Sequence, residues 1–214
     1  MQFNGRLERT PIVKLLHVDS SILGANSVSR TLTAEVVEQQ RRLHPGVEVV
    51  YRDLAAEPHL HFSPAHLAAA YGATPDATVA NDLADGNAVV DELFAADIIV
   101  IGAPMYNFAL PTQLKAWIDR SLVAGRTFHY TATGPEGLLP KGKKVIVASS
   151  RGGFYGPDSP IAAFDHQETY LTQALGFIGL TDIIIVRAEG LAVSPESKEA
   201  ALASARQSIS ALAA

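Results

Sequence analysis

The 214-residue chain contains no cysteine. That absence removes disulfides, thiolate catalysis and cysteine-based zinc sites together, and it leaves a reducing compartment compatible though not demanded. No apolar run approaches the ~20 residues of a membrane span, and the opening MQFNGRLERTP lacks the apolar stretch of a signal peptide. Charge is scarce: 17 Lys and Arg against 22 Asp and Glu give a net charge of -5, with the basic residues scattered apart from KGKK at Lys141 to Lys144. A nucleic-acid binder needs a local basic patch, so KGKK reads as a solvated turn and no nucleic-acid partner is expected. The expectation is a soluble cytoplasmic protein with no membrane partner. Residues 1–11 read as an N-terminal extension and residues 12–214 as a single domain.

Whole motifs are missing as well. There is no G-x-G-x-x-G, which lets a dinucleotide fold bring backbone against a pyrophosphate, and no G-K-[ST] of a P-loop. Without G-x-S-x-G there is no nucleophile elbow of an α/β-hydrolase. HLHFSPAH spaces His59, His61 and His66 like metal ligands, but no carboxylate-rich companion follows, so they read as loop histidines and no metal is expected.

What is present is an alternation. Five short, β-branched, almost wholly apolar segments, IVKLLHV from Ile12, VEVVY from Val47, DIIVIG from Asp97, KVIVAS from Lys144 and DIIIVRA from Asp182, have the composition of strands buried on both faces. Helical spacing follows each: Val28, Leu32, Val36 and Leu43 lie on one face up to a stop at His44-Pro45-Gly46. Further helices are expected from about Asp76 to Ala95, Thr112 to Ala124, Ile161 to Gly176, and from Pro195 onward with Ser194 as N-cap. The alternation predicts a flavodoxin-like, doubly wound α/β fold with a five-stranded parallel sheet in the order 2-1-3-4-5 and helices on both faces. Ligands of such sheets sit beyond the carboxyl ends of the strands, which directs attention to the loops after Val18, Ile101 and Ala148. The irregular excursion from Asp53 to Pro75, marked by Pro58, Pro64, Gly72 and Pro75, has the length of a functional lid or interface piece.

All three loops are unusual. The first, DSSILGANSVSR from Asp19 to Arg30, carries Ser21, Ser27 and Ser29 with Gly24 as its only glycine. Hydroxyls at a helix amino end, where backbone N–H groups lack partners, suit a single phosphate better than a pyrophosphate; Ser27 serving only as a helix cap is the competing reading. The second places Met105, Tyr106, Asn107 and Phe108 after the third strand. Apolar walls beside an amide suit a flat heteroaromatic ring, although Met105 and Phe108 taken singly are as well explained by packing. The third, SRGG from Ser150, has Gly152 and Gly153 where backbone N–H groups could be exposed or a ligand could approach the main chain.

Together with RDLAAEP, TGPEGL, LGFIG and AEG, the segments SSILGANSVS, PMYNFALPTQLK and SSRGG closely resemble the FMN-dependent NADH:quinone oxidoreductases of the azoreductase family, over nearly all of the chain after Pro11. The resemblance implies a flavoprotein with one FMN per subunit and NADH or NADPH as reductant. It implies ping-pong, two-electron reduction of quinones and cleavage of aromatic azo compounds, with the chemistry carried by the flavin and no catalytic side chain. It further implies that Ser21, Ser27, Val28 and Ser29 hold the phosphate, that Met105, Tyr106, Asn107 and Phe108 surround the ring, and that Ser150, Arg151, Gly152 and Gly153 line its polar rim. The family forms homodimers with active sites at the subunit interface, which gives Tyr130 and the Asp53 to Pro75 excursion a role in covering the flavin. A flavodoxin-like electron carrier without substrate turnover is the alternative, disfavoured by the mild acidity and the long excursion. FYGPDSP after SRGG departs from the family pattern.

Overall fold

The structure, a computed structural model, describes residues 12–213; the expected extension, residues 1–11, lies outside the described residues. Strands β1 (Lys14–Asp19), β2 (Glu48–Asp53), β3 (Ile98–Pro104), β6 (Lys144–Ser150) and β7 (Asp182–Ala188) form one parallel sheet in the order β2-β1-β3-β6-β7. The two strands of a separate antiparallel hairpin, β4 (Phe128–Thr131) and β5 (Gly134–Gly137), fall between the third and fourth sheet strands in sequence, so the sheet numbering differs from the expected one. That hairpin had no counterpart in the sequence reading. It is anchored where Gly137, which has no room for a Cβ, lies against the Ile178–Gly179 backbone.

Successive strand residues point to opposite faces, and this divides the core in two. Leu16, Val18, Ile99, Ile101, Val145 and Val147 pack on α3 (Ala77–Ala95), α4 (Thr112–Ser121) and α5 (Glu168–Phe177). Leu15, Ile98, Val100, Ile146 and Ala148 pack on α1 (Val28–Leu43) and α6 (Pro195–Ser210). The central strand β3 is buried along its whole length, as its apolar sequence requires. β2 is not: as the sheet edge it leaves Val50 and Tyr51 about half exposed, so VEVVY is not covered on both faces. Among the described residues no helix is long and apolar enough to cross a membrane.

Other expectations are corrected by tertiary contacts. α4 stops at Ser121 rather than near Ala124, because buried Thr127 donates its hydroxyl to Ser121 O at 2.7 Å and accepts from Val123 N at 2.9 Å. α5 starts at Glu168, not Ile161, because Asp165 Oδ1 accepts from the Gln167 and Glu168 amides at 3.1 and 3.0 Å and nucleates the first turn there. KGKK is not simply a solvated turn. Lys143 is buried, and its Nζ donates to Phe94 O at 2.7 Å and to Ala96 O, capping the carboxyl end of α3. Inside the Asp53 to Pro75 excursion the chain forms a short helix, α2 (Pro64–Ala70), capped by Ser63 and His66.

That excursion is fastened to the body by a buried polar cluster. Asp82 on α3 accepts from Leu60 N at 2.8 Å, from His66 Nε2 at 3.1 Å and from Arg120 Nε at 2.9 Å, while Arg120 also donates to Leu60 O at 2.9 Å. His59 Nδ1 lies 3.2 Å from Asp85. His59 and His66 of HLHFSPAH thus help hold the loop down, while His61 is exposed; among the described residues no group of three or more His, Cys, Asp or Glu is arranged to hold a metal ion.

Candidate functional site

β1 ends at Asp19, and Ser20 ties the departing chain to β3 by donating its hydroxyl to Gly102 O at 2.6 Å. A 3-10 turn over Gly24–Asn26, opened by Gly24 at φ 52, leads into α1. Ser27 caps that helix, its Oγ accepting from Arg30 N at 3.3 Å. Ser29 Oγ lies 3.0 Å from Ser27 Oγ, and both side chains are buried. Capping does not exhaust the helix end, because the amides of Val28 and Ser29 belong to the first turn and have no intrahelical acceptor. The result is a pair of hydroxyls and unpartnered N–H groups at the positive end of a helix dipole.

The second loop is a tight turn. Tyr106 N donates to Ala109 O at 2.9 Å and Ala109 N to Tyr106 O at 3.1 Å. The two residues between, Asn107 and Phe108, have φ of 48° and 72°, and they are the only non-glycine positive-φ residues among those described. This is the pattern of a type I′ turn, for which Asn is well suited and Phe is not. A left-handed residue bearing a Cβ costs roughly 1–2 kcal/mol. The strain holds the Phe108 ring, 44% exposed, against Phe164 (centroids 5.3 Å apart) and Tyr155 (6.1 Å).

Direct contacts bring the three loops together. Ser21 Oγ lies 3.2 Å from Tyr106 Oη, which also accepts from Ile22 N at 3.2 Å, and Met105 N donates to Ser150 O at 2.8 Å. Gly152 and Gly153 do not take the left-handed conformation for which glycine is usually required. A Cβ on Gly153 would crowd the Tyr155 ring at 3.3 Å, whereas one on Gly152 would meet Ala192 at 3.4 Å, close to ordinary contact, so packing gives only Gly153 a steric reason. The Arg151 side chain is fully buried among Asp165 (2.8 Å), Glu168 (2.6 Å) and Glu189 (3.0 Å), with its Nε donating to Gln167 at 2.9 Å. It therefore braces the loop from below, and its backbone is committed too, with N donating to Ala188 O at 2.9 Å and O accepting from Leu191 N at 3.1 Å, so Arg151 offers the rim no polar group of its own. Tyr130 is not joined to this constellation; it stands 76% exposed on β4, packed edge-on against Phe128.

Sequence reasoning missed the groups beneath the first loop. Asp19 accepts from Thr33 Oγ1 at 2.8 Å and from Tyr51 Oη at 3.1 Å, and lies 3.4 Å from His17. Burial by itself would raise the Asp19 carboxyl, but these hydrogen bonds and the His17 charge outweigh it and hold the group below its ordinary value. Burial, then the adjacent Asp19 charge, push the Tyr51 hydroxyl up to about 12. Gly102 makes room for this cluster, since a Cβ there would come within 2.7 Å of Asp19 Oδ1. Asp53 and Glu189 stand in the segments RDLAAEP and AEG, but nothing local to those segments reveals their partners.

Buried hydroxyls at a helix amino end, in a loop that touches a strained aromatic turn through Ser21 and Tyr106 at the carboxyl end of a parallel sheet, are the arrangement of a flavodoxin-like protein. A family model described as flavodoxin-like fold matches residues 13–213. FMN-dependent NADH:quinone oxidoreductase 2 of Bradyrhizobium diazoefficiens is 56% identical over 200 residues, spanning 94% of this chain and 98% of that protein. The FMN-dependent NADH:quinone oxidoreductase of Methylorubrum extorquens is 56% identical over 204 residues, with the same coverage of 94% and 98%. Among solved structures, an FMN-dependent NADH-azoreductase from Bacillus anthracis in complex with FMN superposes with a TM-score of 0.83 at 26% identity, covering 95% of this chain and 100% of that one. The chain belongs to the family of FMN-dependent NADH:quinone oxidoreductases and azoreductases, as the sequence motifs implied.

Proposed function

We propose that the protein is an FMN-dependent oxidoreductase that uses NADH or NADPH to reduce quinones and to cleave aromatic azo compounds. The observation that carries this reading is the contact of the three loops: Ser21 meets Tyr106 of a strained turn of aromatic and amide side chains, and the same first loop ends in the buried Ser27 and Ser29 hydroxyls at the amino end of α1. The donor set fits FMN chemically. Ser27 and Ser29, with the Val28 and Ser29 amides, suit the phosphate and offer it no opposing carboxylate; Ser21 stands at the junction with Tyr106. Met105, Tyr106, Asn107 and Phe108 would flank the ring, and the Ser150 to Gly153 segment would face its polar edge, with the Gly152 and Gly153 N–H dipoles favouring developing negative charge.

Bound there, FMN would supply two-electron chemistry between the nicotinamide and the acceptor, in the ping-pong order proposed. The residues' part is to bind, orient and exclude water. The turn would hold the Phe108 ring beside the flavin, backed by Phe164 and Tyr155, and the buried Arg151 network would fix the loop that carries Gly152 and Gly153. Near the site, Phe154 and Phe164 are about half exposed, as are Phe62 and Leu67 in the excursion. This apolar rim supports a homodimer in which the partner completes the substrate cleft, with Tyr130 and the α2 segment as covering elements. Residues 12–214 are read as one FMN-binding domain acting in the cytoplasm.

The test is reconstitution with FMN, followed by NADH and NADPH oxidation with a quinone and with an azo dye. Steady turnover by the purified protein alone supports the enzyme reading. An FMN complex that passes electrons only to another protein would make it a carrier, and failure to bind FMN would overturn both. Size-exclusion chromatography with light scattering tests the dimer.

A further inference from the structure

The first loop is held by one guanidinium. Arg30, in the first turn of α1, donates from Nε and Nη2 to Ser21 O at 3.1 and 2.8 Å. It donates from Nη2 and Nη1 to the two carboxylate oxygens of Asp53 at 2.6 and 2.7 Å, and from Nη1 to Tyr51 Oη at 3.1 Å. These contacts use all five guanidinium N–H donors. Asp53 is the last residue of β2, and its Oδ1 also accepts from the Ala55 and Ala56 amides at 3.0 and 3.2 Å. A single planar fork thus joins the loop after β1, the start of α1 and the turn after β2. Asp53, with Asp19 3.8 Å away, neutralises its charge, and the Arg30 pair holds the Asp53 carboxyl below its ordinary value.

We propose that Arg30 is a positioning residue for cofactor binding: with Asp53 it fixes the Ser21 backbone, and through it the first loop, without itself contacting the phosphate. This rests on the reading of that loop as the FMN phosphate site. An arginine beside a phosphate loop is ordinarily taken for a phosphate ligand. Here its donors are already committed, and the two roles predict opposite responses to removal of Asp53. A direct ligand would be released by that change and bind FMN more tightly, whereas a brace would lose its anchor and bind FMN more weakly.

The experiment measures FMN and riboflavin affinity by flavin fluorescence quenching for the wild-type protein, Arg30→Met, Asp53→Asn, the double variant and Arg30→Lys. Riboflavin lacks the phosphate, so it reports on the ring site alone. In the wild type, FMN binds much more tightly than riboflavin. Arg30→Met and Asp53→Asn each weaken FMN binding by about ten- to a hundredfold, the range expected for lost charge-assisted hydrogen bonds, and leave riboflavin affinity within about twofold. The double variant is no worse than the poorer single one, because both disable the same brace. Arg30→Lys, which keeps the charge but not the planar fork, stays defective.

Tighter FMN binding in Asp53→Asn, additive losses, or full rescue by lysine would overturn the proposal. Equal losses for FMN and riboflavin would also overturn it, by reducing Arg30 to a general structural role. A wild-type protein with no preference for FMN over riboflavin would instead refute the underlying reading of the loop, an outcome visible before any variant is examined.

Discussion

The turn at Asn107 and Phe108 gives an unusually sharp prediction, because it reverses the ordinary ranking of alanine and glycine. Phe108→Ala and Phe108→Gly both delete the ring and its contacts with Phe164 and Tyr155, so the loss of roughly 0.5–1.5 kcal/mol per aromatic pair is common to both. They differ in the backbone. At φ 72° the alanine variant keeps a left-handed strain of roughly 1–2 kcal/mol, and glycine removes it. Glycine in turn loses roughly 0.5–1 kcal/mol more conformational entropy on folding than alanine. At the middle of these ranges the glycine variant is the more stable by about 0.75 kcal/mol, a Tm higher by roughly 1.5–3 °C for a chain of this size. Thermal and urea unfolding of the two apoproteins measure the difference. Equal stability, or a more stable alanine variant, would refute the assignment of strain to this residue. Both variants lose FMN-dependent turnover relative to wild type if the ring shapes the site, so stability and activity should part company in Phe108→Gly.

The serines can be separated in the same way. Ser29→Ala removes a hydroxyl with no capping duty and should weaken FMN binding while Tm stays nearly constant, whereas Ser27→Ala should weaken binding and also cost about 1 kcal/mol of stability as the N-cap is lost. Isothermal titration with FMN beside calorimetric unfolding distinguishes them. Asp82→Ala strands the buried Arg120 guanidinium and should destabilise the protein by about 3–5 kcal/mol; a loss under about 1 kcal/mol would show that the cluster is not a significant fastening. Burial pushes the His59 imidazole below 6.5, against the opposing pull of Asp85 and Asp82 and with the help of Arg120 and Arg52. The unfolded chain thus binds the extra proton first. The His59 contribution to stability is fully present above pH 6.5 and declines as pH falls from there through the folded value. His59→Gln should flatten that part of the Tm-against-pH curve, and an unchanged slope would exclude His59 as its source.

Much of the architecture was legible from local pattern. α1 spans Val28–Leu43 as its apolar face and the His44-Pro45-Gly46 stop foretold, and Ser194 caps α6, its Oγ accepting from Ser197 N at 3.1 Å. α2 was not anticipated, because Pro64 counted there as a breaker, whereas at the first helical position it opens a short helix capped by Ser63 and His66. The β4–β5 hairpin was not readable, because GPEG has neither strand composition nor alternation and is held by its contact with Ile178 and Gly179.

By itself the sequence determined the order of the five sheet strands and the five longer helices between and after them, and which three loops meet at the carboxyl end of the sheet. Those follow from periodicity and from chain connectivity, which act over neighbouring residues. Only the tertiary structure decided the fate of the charges. Lys143 is buried as a helix cap, Arg151 turns beneath its loop toward three carboxylates, and Arg30 spends every donor on Ser21, Tyr51 and Asp53. A charged side chain is stabilised by whatever partner folding brings within a few ångströms, often from a distant part of the chain. Its role is therefore set by three-dimensional proximity, which no local pattern encodes.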